Sequence, residues 1–179
     1  KLSKNYLFPS FCTIAGSGPN GAIIHYRSNK KSNRKLNKDH ILLVDSGGQY
    51  KWGTTDITRT ISFGVPSKKT KELYTRVLKG HIAVAMSKID KFKNGNNIDK
   101  LARKSLNSVN LDYKHGTGHG VGFFMNVQEG PQGLSKNNFI KLKKGMIVSN
   151  EPGIYLENKL GIRIENLVYI DGNNKNLFF

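Results

Sequence analysis

Two carboxylates, Asp45 and Asp56, stand eleven positions apart in the stretch DSGGQYKWGTTDITRT, residues 45–60. Apolar residues Ile41 to Val44 lead in, and a β-branched run from Thr54 to Ile61 leads out, so the stretch reads as a β-hairpin turning through Lys51-Trp52-Gly53. Folded near Gln49 to Trp52, it sets Asp45 and Asp56 almost opposite each other, with Cα atoms roughly 4.5 to 5.5 Å apart. Facing like charges repel, and burial raises the cost of each charge unless something positive lies between them. A divalent cation meets that need. Period two places Asp56, Thr58 and Thr60 on one face with Asp45, Gly47 and Gln49, while Ile57, Arg59 and Ile61 point away. The small neighbours on that face leave room for an ion. An isolated pair of this kind is more often a solvated hairpin with two surface acids, so the weight falls on the rest of the chain.

The second half supplies a matching arrangement. An apolar strand, Gly145 to Val148, delivers Glu151; the chain turns at Glu157-Asn158-Lys159 and returns through Ile162-Arg163-Ile164-Glu165. The midpoint of 151 and 165 is 158, inside that turn. Pro152 weakens regular pairing beside Glu151, because proline cannot donate to the ladder. Between the two hairpins lies HGTGHGVG, residues 115–122, where glycines let the backbone approach a ligand closely. Its His119, standing alone, reads sooner as a core histidine bonded to a backbone carbonyl. Together, four carboxylates and one histidine make the oxygen and nitrogen set expected for a pair of hard or borderline divalent ions. Such ions about 3.5 to 4 Å apart share a hydroxide, acidify the water it came from and polarise the carbonyl it attacks.

The elements that must position these groups are two hairpins and two helices. Residues 1–20 are mixed and end in a Gly-Ser-Pro loop; Ala22 to Tyr26 reads as a short strand carrying His25. Residues 27–40 form a basic loop with Lys30, Lys31, Arg34, Lys35 and Lys38. After Gly64-Val65-Pro66, Ser67 offers an N-cap for a helix from Lys68 to about Ile89, its apolar face being Tyr74, Leu78, Ile82, Ala85 and Ile89. A turn at Asn94 to Asn97 precedes a second helix with the stripe Ile98, Leu101, Ala102, Ser105, Leu106 and Val109. Residues 129–144 read as a loop.

The length, 179 residues, suits one domain with a sizeable core. The formal net charge of +17 points to an acidic partner or to solvated lysines in a biased composition; their scatter favours the second. A single cysteine, Cys12, excludes an internal disulfide, fits a reducing compartment and reads as core. No run reaches the length of a membrane span and no signal peptide is seen, so a cytoplasmic location is expected. The start at Lys1 without methionine and the stop at Phe179 after a strand-like run suggest one catalytic domain, residues 1–179, truncated at both ends.

The segments SGPNGAIIHY, LLVDSGGQY, GTTDITRT, VLKGHIAVA, HGTGHGVG, EGPQG, MIVSNEPG and GIRIEN, spread over residues 17–166, resemble the catalytic domain of aminopeptidase P, or Xaa-Pro aminopeptidase. That is the pita-bread metallopeptidase family that also holds prolidase, methionine aminopeptidase and creatinase. The resemblance implies an α+β pita-bread fold: a curved antiparallel sheet with helices on its outer face, in two pseudo-symmetric halves. It implies that Asp45 binds one of two divalent ions, most simply Mn²⁺, with Co²⁺ or Zn²⁺ as alternatives. Asp56 and Glu165 would bridge both ions, and His119 and Glu151 would hold the second. Glu151 would also act as general base toward a metal-bridging hydroxide. His25 and His115 would line the substrate site and stabilise the tetrahedral intermediate, with Tyr155 as one wall. Arg163 would hold the bridging acids by a bidentate guanidinium. The implied reaction releases the first residue from peptides with proline second, in a protein expected to be a homo-oligomer.

Gln128 stands where the family pattern has a histidine that contacts the scissile peptide; a glutamine donates a hydrogen bond but cannot shuttle a proton. Asn150 and Trp52 also depart, at positions that bear no ligand. These departures and the charge keep a second reading open, a catalytically weakened domain that binds peptides or, less favoured, nucleic acid. A third is a prolidase-type dipeptidase.

Overall fold

The computed structural model describes residues 4–89, 94–124, 127–173 and 176–179. Every strand pairing among them is antiparallel. The first half is built on β2 (Ile14–Ser17), β3 (Ile41–Ser46) and β6 (Ile57–Ser62), which form one three-stranded sheet with β3 in the middle. A smaller sheet of β1 (Tyr6–Pro9), β4 (Gly48–Tyr50) and β5 (Gly53–Thr54) takes the tip of the hairpin.

The hairpin's register differs from the expectation by two residues. Asp45 pairs with Thr58 and Gln49 with Thr54, so Asp56 lies opposite Gly47 and diagonal to Asp45. The cause is the turn, which closes tightly between Tyr50 and Gly53. Gly47 is small for a different reason than room for an ion: a Cβ there would lie 2.0 Å from the Thr55 carbonyl oxygen and 2.3 Å from Ser10 Oγ. The face assignment holds, with Asp45, Asp56 and Thr58 buried and Ile57, Arg59 and Ile61 outward.

In the second half, β9 (Ile147–Asn150) pairs with β12 (Asn166–Tyr169), and β10 (Gly153–Leu156) with β11 (Leu160–Arg163). Both ladders have the same centre, Asn158, whose φ of 56° makes the turn. Glu151 and Glu165 fall opposite each other in the gap between the two ladders. There Pro152 has no donor; Glu151 N–H bonds the Thr117 carbonyl instead, and Glu165 N–H bonds that of Thr58.

Helix α1 runs Lys68–Ala85, with Ser67 Oγ accepting from Thr70 N–H as N-cap; α2 runs Gly95–Asn107, capped by Asn94. The buried face of α1 is Leu73, Val77, Gly80, His81 and Val84 rather than the neighbouring stripe, and Ile82 is exposed. Two apolar rows lie side by side in this helix, and α2 selects the one containing Gly80, where a Cβ would stand 2.2 Å from the Ala102 carbonyl. Ile98, Ala102 and Leu106 of α2 are buried as the periodicity predicts. One apolar cluster joins Leu73 and Val77 to Leu106, Tyr113, Ile154 and Ile162; a second joins Val84 to Ile98, Leu134, Val148 and Ile170. The helices thus brace the ladders that carry the acids.

Three further expectations are corrected. Residues 22–26 are not a strand: a 3-10 helix spans Gly18–Ala22 and a turn follows, while the strand lies earlier, at β2. The 129–144 loop contains β8 (Gly133–Leu134), paired with β7 (Gly118–His119). Cys12 is exposed rather than core. The remaining strands are β13 (Asp171–Asn173) and β14 (Asn176–Phe178), paired with each other. Among the described residues no helix is long and apolar enough to cross a membrane.

Candidate metal centre

A cavity of about 540 Å³ is lined by Asp45, Asp56, His119, Glu151 and Glu165, together with His25, His115, Gln128 and Arg163. Nine of the ten residues given a place in the site by the sequence therefore meet around one space; Tyr155, expected as a wall, is not among the lining residues and instead bonds His115 and Arg163 through its hydroxyl. The acids come from both hairpins, and His119 comes from β7 between them.

Their spacing demands positive charge. His119 Nε2 lies 3.4 Å from Asp56 Oδ2 and 3.2 Å from Glu151 Oε1, while Nδ1 lies 3.1 Å from the Gly120 carbonyl oxygen. A carbonyl only accepts, so Nδ1 carries a proton and Nε2 is aimed between two anions. A bare lone pair there is repelled; a proton or a metal ion must fill the position. Burial pulls the His119 pKa down, but hydrogen bonds to Asp56 and Glu151 outweigh it and push it up to about 11. One ligand atom from each of Asp56, His119 and Glu165 lies within 4.8 Å of the others. Among the described residues, Asp45 Oδ1 is buried with no hydrogen-bond partner. An orphaned carboxylate oxygen beside three more acids and an imidazole fits a divalent-ion site, and the donor set suits hard or borderline ions.

The same crowding shifts the acids. Burial raises Glu165 well above the usual carboxylate range, and the charges of Glu151, Asp56 and Asp45 add to it. Burial also raises Asp45 despite the opposing charge of Arg163. Glu151 goes the other way: burial pushes it up, but His119, His115 and Arg163 together hold it below its ordinary value.

Arg163 is not bidentate on the bridging acids. Its Nη2 donates to Asp45 Oδ2 at 2.6 Å, Nη1 to Tyr155 OH at 2.8 Å and Nε to Thr58 Oγ1 at 3.1 Å. Thr58, fully buried, donates its own hydroxyl hydrogen bond to Glu165 Oε2 at 2.6 Å. A threonine hydroxyl therefore couples the arginine to Glu165. Sequence reasoning placed Thr58 on the acidic face but gave it no task; its inward position two residues from Asp56 was the available signal.

His115 lines the cavity with both ring nitrogens engaged. Nδ1 donates to its neighbour's carbonyl, Gly116, at 2.7 Å, and Nε2 accepts from Tyr155 OH at 2.8 Å. Burial lowers its pKa, favouring this neutral form. His25 and Gln128 are exposed at the cavity wall. The loop bearing the histidines is held from behind by α2. Arg103 donates to Asp99, Asp112, Tyr113 O and His115 O, and Asp99 accepts from Thr117 N–H and Oγ1. Neither Arg103 nor Asp99 was legible as part of the site.

Comparison with known proteins agrees with this geometry. The chain matches the model of metallopeptidase family M24 over residues 2–172. It is 50% identical over 153 residues to aminopeptidase P2 of Arabidopsis thaliana, covering 84% of this chain and 22% of that protein. It is 49% identical over 155 residues to Xaa-Pro aminopeptidase 1 of Dictyostelium discoideum, covering 85% of this chain and 25% of that one. Among solved structures, the Caenorhabditis elegans X-prolyl aminopeptidase, a cytosolic enzyme with a di-nuclear active site, superposes with a TM-score of 0.90 at 40% identity over 96% of this chain and 28% of its own. A prolidase from Pyrococcus furiosus gives 0.84 at 30% identity, covering 97% of this chain and 49% of its own. This chain thus spans about a quarter or less of the length of these two curated relatives. Its antiparallel ladders and bracing helices are the pita-bread fold of these neighbours. With a match that runs nearly end to end and relatives half identical across most of it, the chain belongs to metallopeptidase family M24.

Proposed function

We propose that residues 1–179 form a single catalytic domain that hydrolyses the bond between an N-terminal residue and a following proline. The observation that carries this reading is the convergence of Asp45, Asp56, His119, Glu151 and Glu165 on one cavity, with His119 Nε2 aimed between two carboxylates. These five residues would hold two divalent ions, with Mn²⁺ the first choice for such oxygen-rich ligands. When bound, the ions supply Lewis acidity and a water acidified to near neutrality.

The chain's own groups do the rest. Glu151 takes the proton of the attacking water and returns it to the proline nitrogen as the C–N bond breaks. Its Oε1 is held by Ser149 Oγ at 2.8 Å, and its lowered pKa keeps it ionised and ready to accept. Arg163 fixes Asp45 directly and Glu165 through Thr58, so the acids keep their aim. The acidic floor attracts the free amine of the peptide. His25, at the wall, orients the substrate carbonyl, and Gln128 contributes an amide donor. The cytosolic relative supports a cytoplasmic location.

The test is release of the first residue from an Xaa-Pro tripeptide by the purified, Mn²⁺-loaded protein. Asp56→Asn should abolish release, because one of the two shared ligands loses its charge. Metal found in the protein by elemental analysis without any cleavage would refute the reading. Cleavage of a dipeptide and not the tripeptide would favour a prolidase-type activity instead.

A further inference from the structure

The cavity has a cation that the chemistry above does not use. Among the described residues, two lysine or arginine side chains line it, Arg27 and Arg163. Arg163 is buried, with all three of its nitrogens donating to Asp45, Tyr155 and Thr58. Arg27 is exposed while lining the same cavity, which places it at the mouth. One of its five N–H groups, on Nη1, donates to the Cys12 carbonyl at 2.7 Å, and no other partner is found among the described residues. A guanidinium anchored at one corner, with its remaining donors free, is pre-organised for a planar anion.

Its surroundings have the same sign. Lys30, Lys31, Arg34 and Lys35 follow in one loop. That loop is folded in place: Tyr26 OH and Asn20 Nδ2 both donate to the Ser32 carbonyl, Asn29 Oδ1 accepts from the N–H groups of Lys31 and Ser32, and Arg34 Nε donates to Asn20 Oδ1. The cavity, walled in part by Phe11, Ile14, Ile24 and Val127, thus has acids at its floor and the positive charge of Arg27 at its mouth. A zwitterionic guest fits that field with its amine inward and its carboxylate outward.

We propose that Arg27 is the carboxylate-recognising residue of this cavity, and that its preferred substrates are peptides carrying a carboxylate just beyond the scissile bond. This rests on the peptidase reading above and names its substrate class. The carboxylate has two sources, the C-terminus of a short peptide or an acidic side chain of a longer one.

Two matched pairs of peptides separate these: an Xaa-Pro-Xaa tripeptide as free acid or C-terminal amide, and a longer amidated peptide with Glu or Gln as its third residue. Dissociation constants by titration calorimetry and kcat/KM are measured for each on the metal-loaded protein and its variants. The charged member of at least one pair should bind and react about tenfold better, the value of one exposed charge-assisted contact. That ratio should fall toward one in about 0.5 M salt, where exposed charges are screened. It should also fall toward one in Arg27→Ala, recover in part in Arg27→Lys, and reverse in Arg27→Glu. A ratio near one in the unaltered protein, an unchanged ratio in Arg27→Ala, or no binding of any peptide overturns the proposal. Cleavage without acid preference refutes Arg27 alone. Acid-selective binding without cleavage supports Arg27 and refutes the peptidase reading.

Discussion

Two buried charge clusters lie within this fold and are built on opposite terms. Behind the histidine loop, Arg103 is 3% exposed and has an acceptor for each of its five N–H groups: two oxygens of Asp99, one of Asp112, and the carbonyls of Tyr113 and His115. Its guanidinium also stacks 3.9 Å from the Tyr113 ring centroid. That cluster is saturated. In the cavity, the four acids form ion pairs, among the described residues, with Arg163 and His119 alone, Asp45 Oδ1 has no partner there, and Glu165 is driven toward its neutral form. A network meant only to hold shape satisfies every donor, whereas one meant to receive an ion leaves charge and lone pairs over.

The contrast can be broken first at the saturated cluster. Arg103→Ala should cost about 3–5 kcal/mol of stability in denaturant unfolding, because Asp99, with no exposed surface, is left an unpaired charge. Replacing Arg103 and Asp99 together by apolar residues of similar volume should recover most of that loss. A cost under about 1 kcal/mol for Arg103→Ala would mean the cluster is not what holds the loop.

The unsaturated cluster should respond to metal and pH instead. With raised pKa values, Glu165, Asp45 and His119 bind more protons in the folded, metal-free chain than in the unfolded one. Metal-free stability contributed by these groups is present at low pH and is lost as pH rises above their unfolded values. Bound metal displaces the protons and removes that loss. The melting-temperature increase on adding Mn²⁺ at about a hundredfold its dissociation constant should reach roughly 5–10 °C near neutral pH. It should shrink steadily as pH falls toward 5. An increase independent of pH would contradict the charge surplus.

The smallest expected effect tests the hydroxyl that couples Arg163 to Glu165. Thr58→Val keeps the shape but leaves Glu165 Oε2 and Arg163 Nε without their partner. Metal affinity should fall about 10–100-fold, with Thr58→Ser restoring it, as read by chelator competition. Equal affinity in Thr58→Val would remove the threonine from the account.

The two hairpins show what could be read in advance. The second was legible in register because Asn158 marks its turn and every pair on both ladders shares that centre. The first slipped by two because the position of a tight turn, not the alternation of side chains, fixes register, and alternation is blind to a shift of two. The acids and histidines were legible because their types and order are local. Thr58 was not, because its partner Glu165 lies 107 residues away; Asp99 and Arg103 stand at helical spacing, but their hold on the histidine loop runs through the carbonyls of Tyr113 and His115, which leave no mark in side-chain chemistry. The buried face of α1 was hidden for a similar reason: two adjacent apolar rows compete, and only the partner helix decides between them.

Gly80 gives that helix contact a reach beyond packing. Its backbone rests on the carbonyl of Ala102, the residue just before Arg103, leaving less than a methyl group's clearance. α2 therefore works as a strut without slack, seated on α1 at Ala102 and gripping the His115 segment through the next residue, Arg103. Any side chain at position 80 has to lift the strut, and the disturbance would arrive at the imidazoles although no atom near the cavity had changed.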